Sequence, residues 1–248
     1  MSKPYLSLIM PVRDEEKTML RTLLALDYVL SISEFSFEVI IVDDGSHDGT
    51  VNVVRQYEKV LKQLKCIERK TSSGSGAAIK EGMAAAHGNI RLILFPSCVG
   101  FLDKREEIIT AFKNGFDMVV GSRNKGIEPL PVKRAIKRSL RRAGNSLMCG
   151  KLLKRVSDVR FGAMCVTEDA ASWLFSFSEL SDDSDIFFEL HALSMANGFK
   201  LHEVEYGGDD SCSCGTGAWD WIRMLVSAIR VRYAAKRKRG KEGAVLEQ

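Results

Sequence analysis

The stretch FEVIIVDDGSHDGT, Phe37 to Thr50, decides how this chain is read. Phe37 to Val42 is a largely apolar, β-branched run of strand length, and it ends abruptly at two adjacent carboxylates, Asp43 and Asp44. A Gly-Ser-His-Asp-Gly turn follows, and Asp48-Gly49-Thr50 opens the helical pattern VVRQYEKVLKQL with Asp48 as its N-cap. A strand that turns directly into a helix is one half of a βα unit. In open α/β sheets, ligands bind just past the carboxyl ends of the strands. Asp43 and Asp44 are therefore expected at a sheet edge where two acids can hydrogen-bond a ribose or a base, since a plain turn needs only one of them.

The alternation continues on both sides of this unit. LSLIMPV reads as the preceding strand, Glu16 to about Ser31 as a helix, and CIERK as a third strand. SSGSGAAIKEGMAAAHGN is a glycine-rich turn feeding a small-residue helix, followed by the strand IRLILF, a helix from Lys104 to about Asn114, and the strand DMVVGSR. This order predicts an α/β fold, a Rossmann-like, mostly parallel sheet with helices on both faces. After Arg123 come a basic segment, VKRAIKRSLRRAGNSLMCGKLLKR, a strand in VRFGAMCVT, helices from Asp169 and from Ser184, the strand KLHEVEYG, and a final helix from about Trp219 to Lys236. One domain over residues 1–235 with a flexible basic tail over 236–248 is the expected organisation.

At 45% hydrophobic and 27% charged residues, the 248-residue chain has the composition of an ordinary globular domain. No apolar run reaches the roughly 18 residues of a membrane span, and MSKPYLSLIMPVRDEE lacks the long apolar stretch of a signal peptide. A cytoplasmic chain is expected. Its six cysteines, Cys66, Cys98, Cys149, Cys165, Cys212 and Cys214, lack zinc-site spacing and are read as reduced thiols. The net charge of +4 understates an asymmetry, because Lys133, Arg134, Lys137, Arg138, Arg141 and Arg142 crowd one segment and Lys236 to Lys241 the end. Such clusters point to a phosphate-rich partner. The first is interleaved with Ile136, Leu140, Leu147 and Leu152, which suits a helix on an anionic membrane and equally a solvated helix packed by one stripe. Nucleic acid is disfavoured, since the tail AAKRKRGK is not interleaved with aromatic residues.

Other strand ends supply further candidates. PVRDEE brings Pro11, Arg13 and Glu15 beside the two aspartates, with Glu15 the foremost ligand contact, although Asp14 to Glu16 would equally favour the following helix through its dipole. Gly76 lies in a turn that could cradle phosphate at a helix N-terminus, but the turn is neither a Walker sequence nor a dinucleotide fingerprint. Arg123 ends DMVVGSR where a guanidinium could pair with a diphosphate; a solvated loop arginine is the plain alternative. IRLILF, by contrast, ends at the uncharged Pro96-Ser97-Cys98.

Taken together, PVRDEE, VDDGSHDGT, GSGAAIKEGMAAAHGN and VVGSR occur in an order and spacing that resembles the family 2 glycosyltransferases, in particular the dolichyl-phosphate hexosyltransferase branch with its glucosyl- and mannosyltransferases. Asp158 with VRFGAMCV, FFELHALSMANGFKLHEVE and WDWIRMLVSAIRVRY extend the resemblance over nearly the whole chain. It implies a GT-A fold, a nucleotide-sugar donor such as UDP-glucose or GDP-mannose, a polyprenyl (dolichyl) phosphate acceptor, inversion at the anomeric carbon, and a Mg²⁺ or Mn²⁺ ion. It places nucleotide contacts at Pro11, Arg13, Glu15, Asp43, Asp44 and Gly76, and catalysis at Asp158, Arg123 and Arg160. It further implies a peripheral position on the cytosolic face of a membrane, the endoplasmic reticulum in a eukaryote, with a membrane-protein subunit as a candidate partner.

The departures from this resemblance concentrate on one side. Relatives end the strand equivalent to IRLILF with Asp-x-Asp, whose carboxylates hold the ion; here Pro96-Ser97-Cys98 offers one hydroxyl and a thiol, whereas hard cations take oxygen ligands. No metal cofactor is assigned. Asp103, the nearest acid, is read with Glu106 as a capping box for the next helix. Ser75 stands for a lysine, Asp14 for an asparagine, Arg160 for a glutamine, and Phe187 for the aspartate of an Asp-x-Glu-Leu motif in which Glu189 remains. Two readings stay open. One is a hexosyltransferase, weak or metal-independent, in which Arg123, Arg160 or the basic helix neutralises the leaving diphosphate. The other is an inactive homologue that binds nucleotide or lipid as a regulatory or scaffold subunit.

Overall fold

The computed structural model describes residues 3–122, 158, 161–206, 223, 226, 227 and 229–237. Seven strands, β1 (Leu6–Val12), β2 (Phe37–Asp43), β3 (Leu64–Glu68), β4 (Ile90–Leu94), β5 (Met118–Ser122), β6 (Ala163–Thr167) and β7 (Leu201–Glu205), form one sheet in the order β3-β2-β1-β4-β6-β5-β7. β1 runs parallel to β2 and β4, β2 to β3, and β5 to β7, while β6 lies antiparallel between β4 and β5. The helices are α1 (Glu16–Ser31), α2 (Thr50–Glu58), α3 (Ser75–Ala85), α4 (Arg105–Lys113), α5 (Glu168–Leu174) and α6 (Ile186–Asn197), and a 3₁₀ run, Pro96–Lys104, leads into α4. The chain lays β2 and β3 on one side of β1 and then crosses to β4 on the other. The strand order reverses there, and such a switch point opens a crevice at the carboxyl ends of β1 and β4.

β1 is buried along its whole length, so its period-two alternation feeds a core on each face of the sheet. Leu8, Met10 and Val12 pack with Met19, Leu23 and Leu26 of α1, Val54 of α2 and Ile108 of α4. Ile9 turns the other way, toward Ile79 and Met83 of α3, Leu174 of α5 and Phe187 and Leu190 of α6. Residues Ile186 to Ser194 of α6 are all buried, which is the condition of a helix without a polar face.

The capping box expected at Asp103 and Glu106 does not form. Helix α4 begins at Arg105, Lys104 occupies its N-cap without a side-chain bond, and Asp103 lies exposed in the 3₁₀ turns before it. Pro96 starts those turns with its fixed φ, so helical geometry is established well upstream of Asp103 and leaves no free first turn for it to cap.

Gly82 lets α3 lie directly on the sheet, because a Cβ there would stand 2.4 Å from Ile9 Cγ2 and 3.0 Å from Val42 Cγ2. Gly82→Ala gains about 1 kcal/mol of helix propensity but overpacks the contact at a cost of about 1–3 kcal/mol. Net destabilisation is expected in urea unfolding. The double variant with Ile9→Ala should cost less than the sum of the singles by more than about 0.5 kcal/mol; strict additivity would show that helix and strand do not meet at this point.

Candidate functional site

β2 delivers Asp43 and Asp44 to the carboxyl edge, each only 3% exposed. Four donors close Asp44. Arg69 Nη1 and Ser73 N, the latter at 3.1 Å, donate to Oδ1, and Ser72 Oγ and Gly74 N donate to Oδ2 at 2.8 and 2.9 Å. Arg69 Nε reaches Glu81 of α3 at 3.1 Å. A carboxylate this buried requires a partner charge and hydrogen bonds, and the result is that Asp44 ties the end of β2 to the connection between β3 and α3. Asp43 acts more locally, accepting from Ser46 N at 3.0 Å and from the Ser46 hydroxyl.

The glycine turn is filled by the protein itself. Its Ser73 and Gly74 amides serve Asp44, and Ala77 N donates to Asp182 O at 2.9 Å. A Cβ on Gly76 would stand 2.5 Å from Ser181 O and 2.6 Å from Asp183 O, so the 181–183 loop lies flat against the turn. The start of α3 therefore holds a carboxylate and a carbonyl where the sequence suggested a phosphate.

The β1 end is more open. Pro11 pairs in register with Val42, and the exposed Arg13 donates through Nη1 to Ser72 Oγ at 2.7 Å, bridging two strand-end turns. Asp14, at φ 51°, donates its amide to Ser46 Oγ at 2.9 Å and accepts His47 N at 2.7 Å. Glu15 N donates to Thr50 Oγ1 at 2.7 Å, and its carboxylate accepts the Thr18 hydroxyl. The N-cap of α2 is Gly49 and not Asp48, because the helix starts only at Thr50; Asp48, one residue earlier, accepts Thr50 N at 2.9 Å and Glu16 N at 3.1 Å and so serves the starts of α2 and α1 together. The Thr50 hydroxyl is the main cause that holds its carboxyl below the ordinary range. The structure thus brings Pro11, Arg13, Glu15, Asp43, Asp44 and Gly76 to one edge of the sheet.

Across the switch point, β4 ends in packing. Cys98 is fully buried and donates its amide to Phe95 O at 2.8 Å, Pro96 is buried, and Ser97 is exposed with its Oγ 3.9 Å from Cys98 Sγ. Beside them Phe101, Phe161 and Tyr206 form a ring cluster with centroids 5.5 to 6.1 Å apart. A strand end with one hydroxyl and a buried thiol does not fit Mg²⁺ or Mn²⁺, which take carboxylate and other oxygen ligands. Among the described residues, no three His, Cys, Asp or Glu side chains gather as a metal site.

Of the expected catalytic residues, Arg123 and Arg160 lie outside the described residues. Asp158 is buried and acts electrostatically on His191 of α6. His191 is 2% exposed, with no partner for Nδ1 among the described residues; burial depresses its pKa to about 4, against the smaller opposite pull of Asp158. Two residues away, Glu189 is fully buried. It accepts Ser181 N at 2.6 Å, Arg230 Nη2 at 3.2 Å and the Ser227 hydroxyl, and burial raises its pKa. The sequence reading missed Arg69 and His191. The only signal for Arg69 was its place between a strand and the glycine turn, and an isolated histidine in an apolar helix carries none.

Residues 7–171 match the family described as Glycosyl transferase family 2. The chain belongs to glycosyl transferase family 2. Within this family it is similar to a dolichyl-phosphate beta-glucosyltransferase of Trichomonas vaginalis, 29% identical over 184 residues that cover 69% of this chain and 56% of the relative. The human dolichyl-phosphate beta-glucosyltransferase is 28% identical over 251 residues, covering 92% of this chain and 75% of the relative. The chain spans about half the length of the Trichomonas relatives it matches. Among solved structures, glucosyl-3-phosphoglycerate synthase of Mycobacterium tuberculosis, in complex with Mn²⁺, uridine-diphosphate-glucose and phosphoglyceric acid, superposes at a TM-score of 0.66 and 14% identity over 92% of this chain and 80% of that one. The likeness shows the fold, the expected GT-A arrangement.

Two tests follow from the site's internal bonding. Asp44→Ala, which leaves Arg69 with Glu81 alone and two amides without their acceptor, should destabilise by about 3 kcal/mol, against about 1 kcal/mol for Asp43→Ala; equal losses in urea unfolding would refute the assigned role of Asp44. For His191, the unfolded chain binds the proton more readily between pH 6.5 and about 4. Stability should therefore fall as pH drops through that window, by up to about 1.4 kcal/mol per unit. Glu189 works in the opposite sense, since its raised pKa favours the fold less as pH rises above 4.5. His191→Gln should flatten the acid-side decline in unfolding midpoints, and an unchanged slope would place the imidazole in contact with water.

Proposed function

We propose that this protein transfers a hexose from a nucleotide sugar to a polyprenyl (dolichyl) phosphate with inversion, and that it does so without a divalent ion at the end of β4. The carrying observation is the switch-point edge, where Pro11, Arg13, Glu15, Asp43, Asp44 and Gly76 converge opposite a strand end closed by Pro96, Cys98 and aromatic rings. The relatives named as dolichyl-phosphate beta-glucosyltransferases support the acceptor and make glucose the first candidate sugar. The folds solved with UDP-glucose or with GDP-Man support a nucleotide-sugar donor, UDP-glucose before GDP-mannose.

The acceptor needs little activation. A phosphate monoester has its second pKa near 6 and is an anion at neutral pH, so its oxygen can attack the anomeric carbon without a base. The bond from that carbon to the donor diphosphate breaks, and its electron pair leaves on the diphosphate. Positive charge must meet that group. We assign this to Arg123, next in sequence after the end of β5, and to Arg160, with Asp158 completing the catalytic set. Asp43 and Asp44 act on the nucleotide side by fixing the two turns that Arg13 bridges.

No helix among the described residues is long and apolar enough to cross a membrane. We infer peripheral attachment on a cytosolic membrane face through the basic segment 133–155 and the basic tail 236–248, with a single catalytic unit over 1–235 and a membrane-protein subunit as a further partner. A second reading, an inactive homologue that binds nucleotide or lipid, is favoured by one observation, the packed thiol and rings where a metal site would stand.

Transfer of labelled glucose from UDP-glucose, or mannose from GDP-mannose, to a polyprenyl phosphate with and without EDTA tests both. The expected result is transfer little changed by EDTA and reduced at least about 100-fold in Arg123→Ala. Abolition by EDTA would overturn the metal-independent mechanism. Nucleotide binding with no transfer in either condition would establish the inactive homologue.

A further inference from the structure

The C-terminal helix, described at residues 223, 226, 227 and 229–237, carries two apolar faces. Ser227, Val231 and Ala235 are 7%, 0% and 1% exposed, and Val231 and Ala235 join the core beneath α3, α5 and α6. Val226, Ile229 and Tyr233 are 60%, 55% and 72% exposed. At about 100° per residue, the centres of the two trios lie about 190° apart around the helix axis. One stripe is therefore spent on the protein core, and a second faces directly away from it.

The charges sort around the outer stripe. Arg232 and Lys236 fall about 70° to one side of its centre, and Arg230 and Arg237 about 60° to the other. From Trp221 to Lys241 the sequence contains no Asp or Glu, and Lys238, Arg239 and Lys241 prolong the positive run. An exposed apolar strip between two rows of cations is matched by one kind of surface, in which an apolar layer lies beneath a sheet of phosphates. Tyr233 suits the boundary between them, with a ring for the apolar side and a hydroxyl for the wet one.

We propose that this outer face docks on an anionic lipid bilayer, with Val226, Ile229 and Tyr233 entering the headgroup boundary and Arg232, Lys236 and Arg237 meeting lipid phosphates, while Arg230 stays on Glu189. The proposal rests on the peripheral-membrane reading above and deepens it by naming the surface that makes contact. The face is firmly joined to the candidate site. Ser227 and Arg230 both donate to Glu189, whose other oxygen accepts Ser181 N, and Ser181 O is the backbone atom that a Cβ on Gly76 would strike. A bilayer held on the helix is thus one buried carboxylate away from the loop that covers the glycine turn.

The test is flotation of the full chain with vesicles of equal parts phosphatidylcholine and phosphatidylserine, beside pure phosphatidylcholine vesicles. Val226 and Arg230 are left intact, the latter because it serves Glu189. Binding to the mixed vesicles is expected at low salt and should weaken as the screening length falls from about 30 Å at 0.01 M to about 3 Å at 1 M salt. Ile229→Ser with Tyr233→Ser should reduce partitioning at least about tenfold, and Arg232→Gln with Lys236→Gln and Arg237→Gln on the order of a hundredfold at low salt. Both sets should keep the parent's thermal unfolding midpoint, since they point away from the core. If the parent floats and both sets float equally well, the membrane reading stands on another segment and this inference fails. If the parent does not float, both fall. A self-association of the parent that the serine variants abolish, without flotation, would assign the face to a second protein copy instead.

Discussion

The buried carboxylate of Asp44 is the constraint around which the candidate site is arranged. A nearly unexposed charge is tolerated only when its lone pairs are filled, and here an arginine from beyond β3, a serine hydroxyl and two backbone amides fill them. The same four bonds fix the β3–α3 connection against β2, and that connection carries Ser72, the acceptor for Arg13. The geometry of the β1 end is therefore inherited from Asp44. This also inverts an intuitive reading: the amides of a glycine turn beside a helix start look like an anion cradle, but the protein has already placed its own anion there.

The β4 end shows the opposite solution to a strand terminus. Where an acidic turn would keep charge at the crevice, Pro96 starts a 3₁₀ run that turns Cys98, Phe101 and Leu102 into the core. Phe161, from the lead-in to β6, and Tyr206, after β7, meet Phe101 edge to face. Apolar burial of this kind stabilises the fold by roughly 25 cal/mol per Å², whereas a cluster of unfilled carboxylates would repel itself. Stability at this terminus and metal binding make incompatible demands, and the residues present satisfy the first.

The sheet was legible in the sequence because its strands are short apolar runs with marked ends. LSLIMPV and the helix from Glu16 to Ser31 fall where the periodicity places them, and the two aspartates end β2 as read. The bonding was not legible, for physical reasons. Arg69 is one of 36 Lys and Arg residues, and nothing local distinguishes it until β3 pairs with β2 and brings it onto Asp44. Asp103 and Glu106 have capping-box spacing, but spacing is not sufficient where an upstream proline has already started helical turns. The glycine turn read as open because its cover, the 181–183 loop, lies about a hundred residues further along the chain.

That cover connects the two halves of the protein. Glu189 sits fully buried on a helix that otherwise consists of core residues, and burial alone would make it unfavourable to ionise. Its compensation comes from two directions: Ser181 on the loop over Gly76, and Ser227 with Arg230 on the C-terminal helix. The loop has little regular structure, and among the described residues of the helix Ser227, Val231 and Ala235 are buried. A shared buried carboxylate makes the placement of one depend on the other, because removing either set of donors leaves a desolvated charge underpaired. The glycine turn is thus covered from the C-terminal half, and the cover is anchored to the helix whose opposite face carries exposed apolar and basic residues.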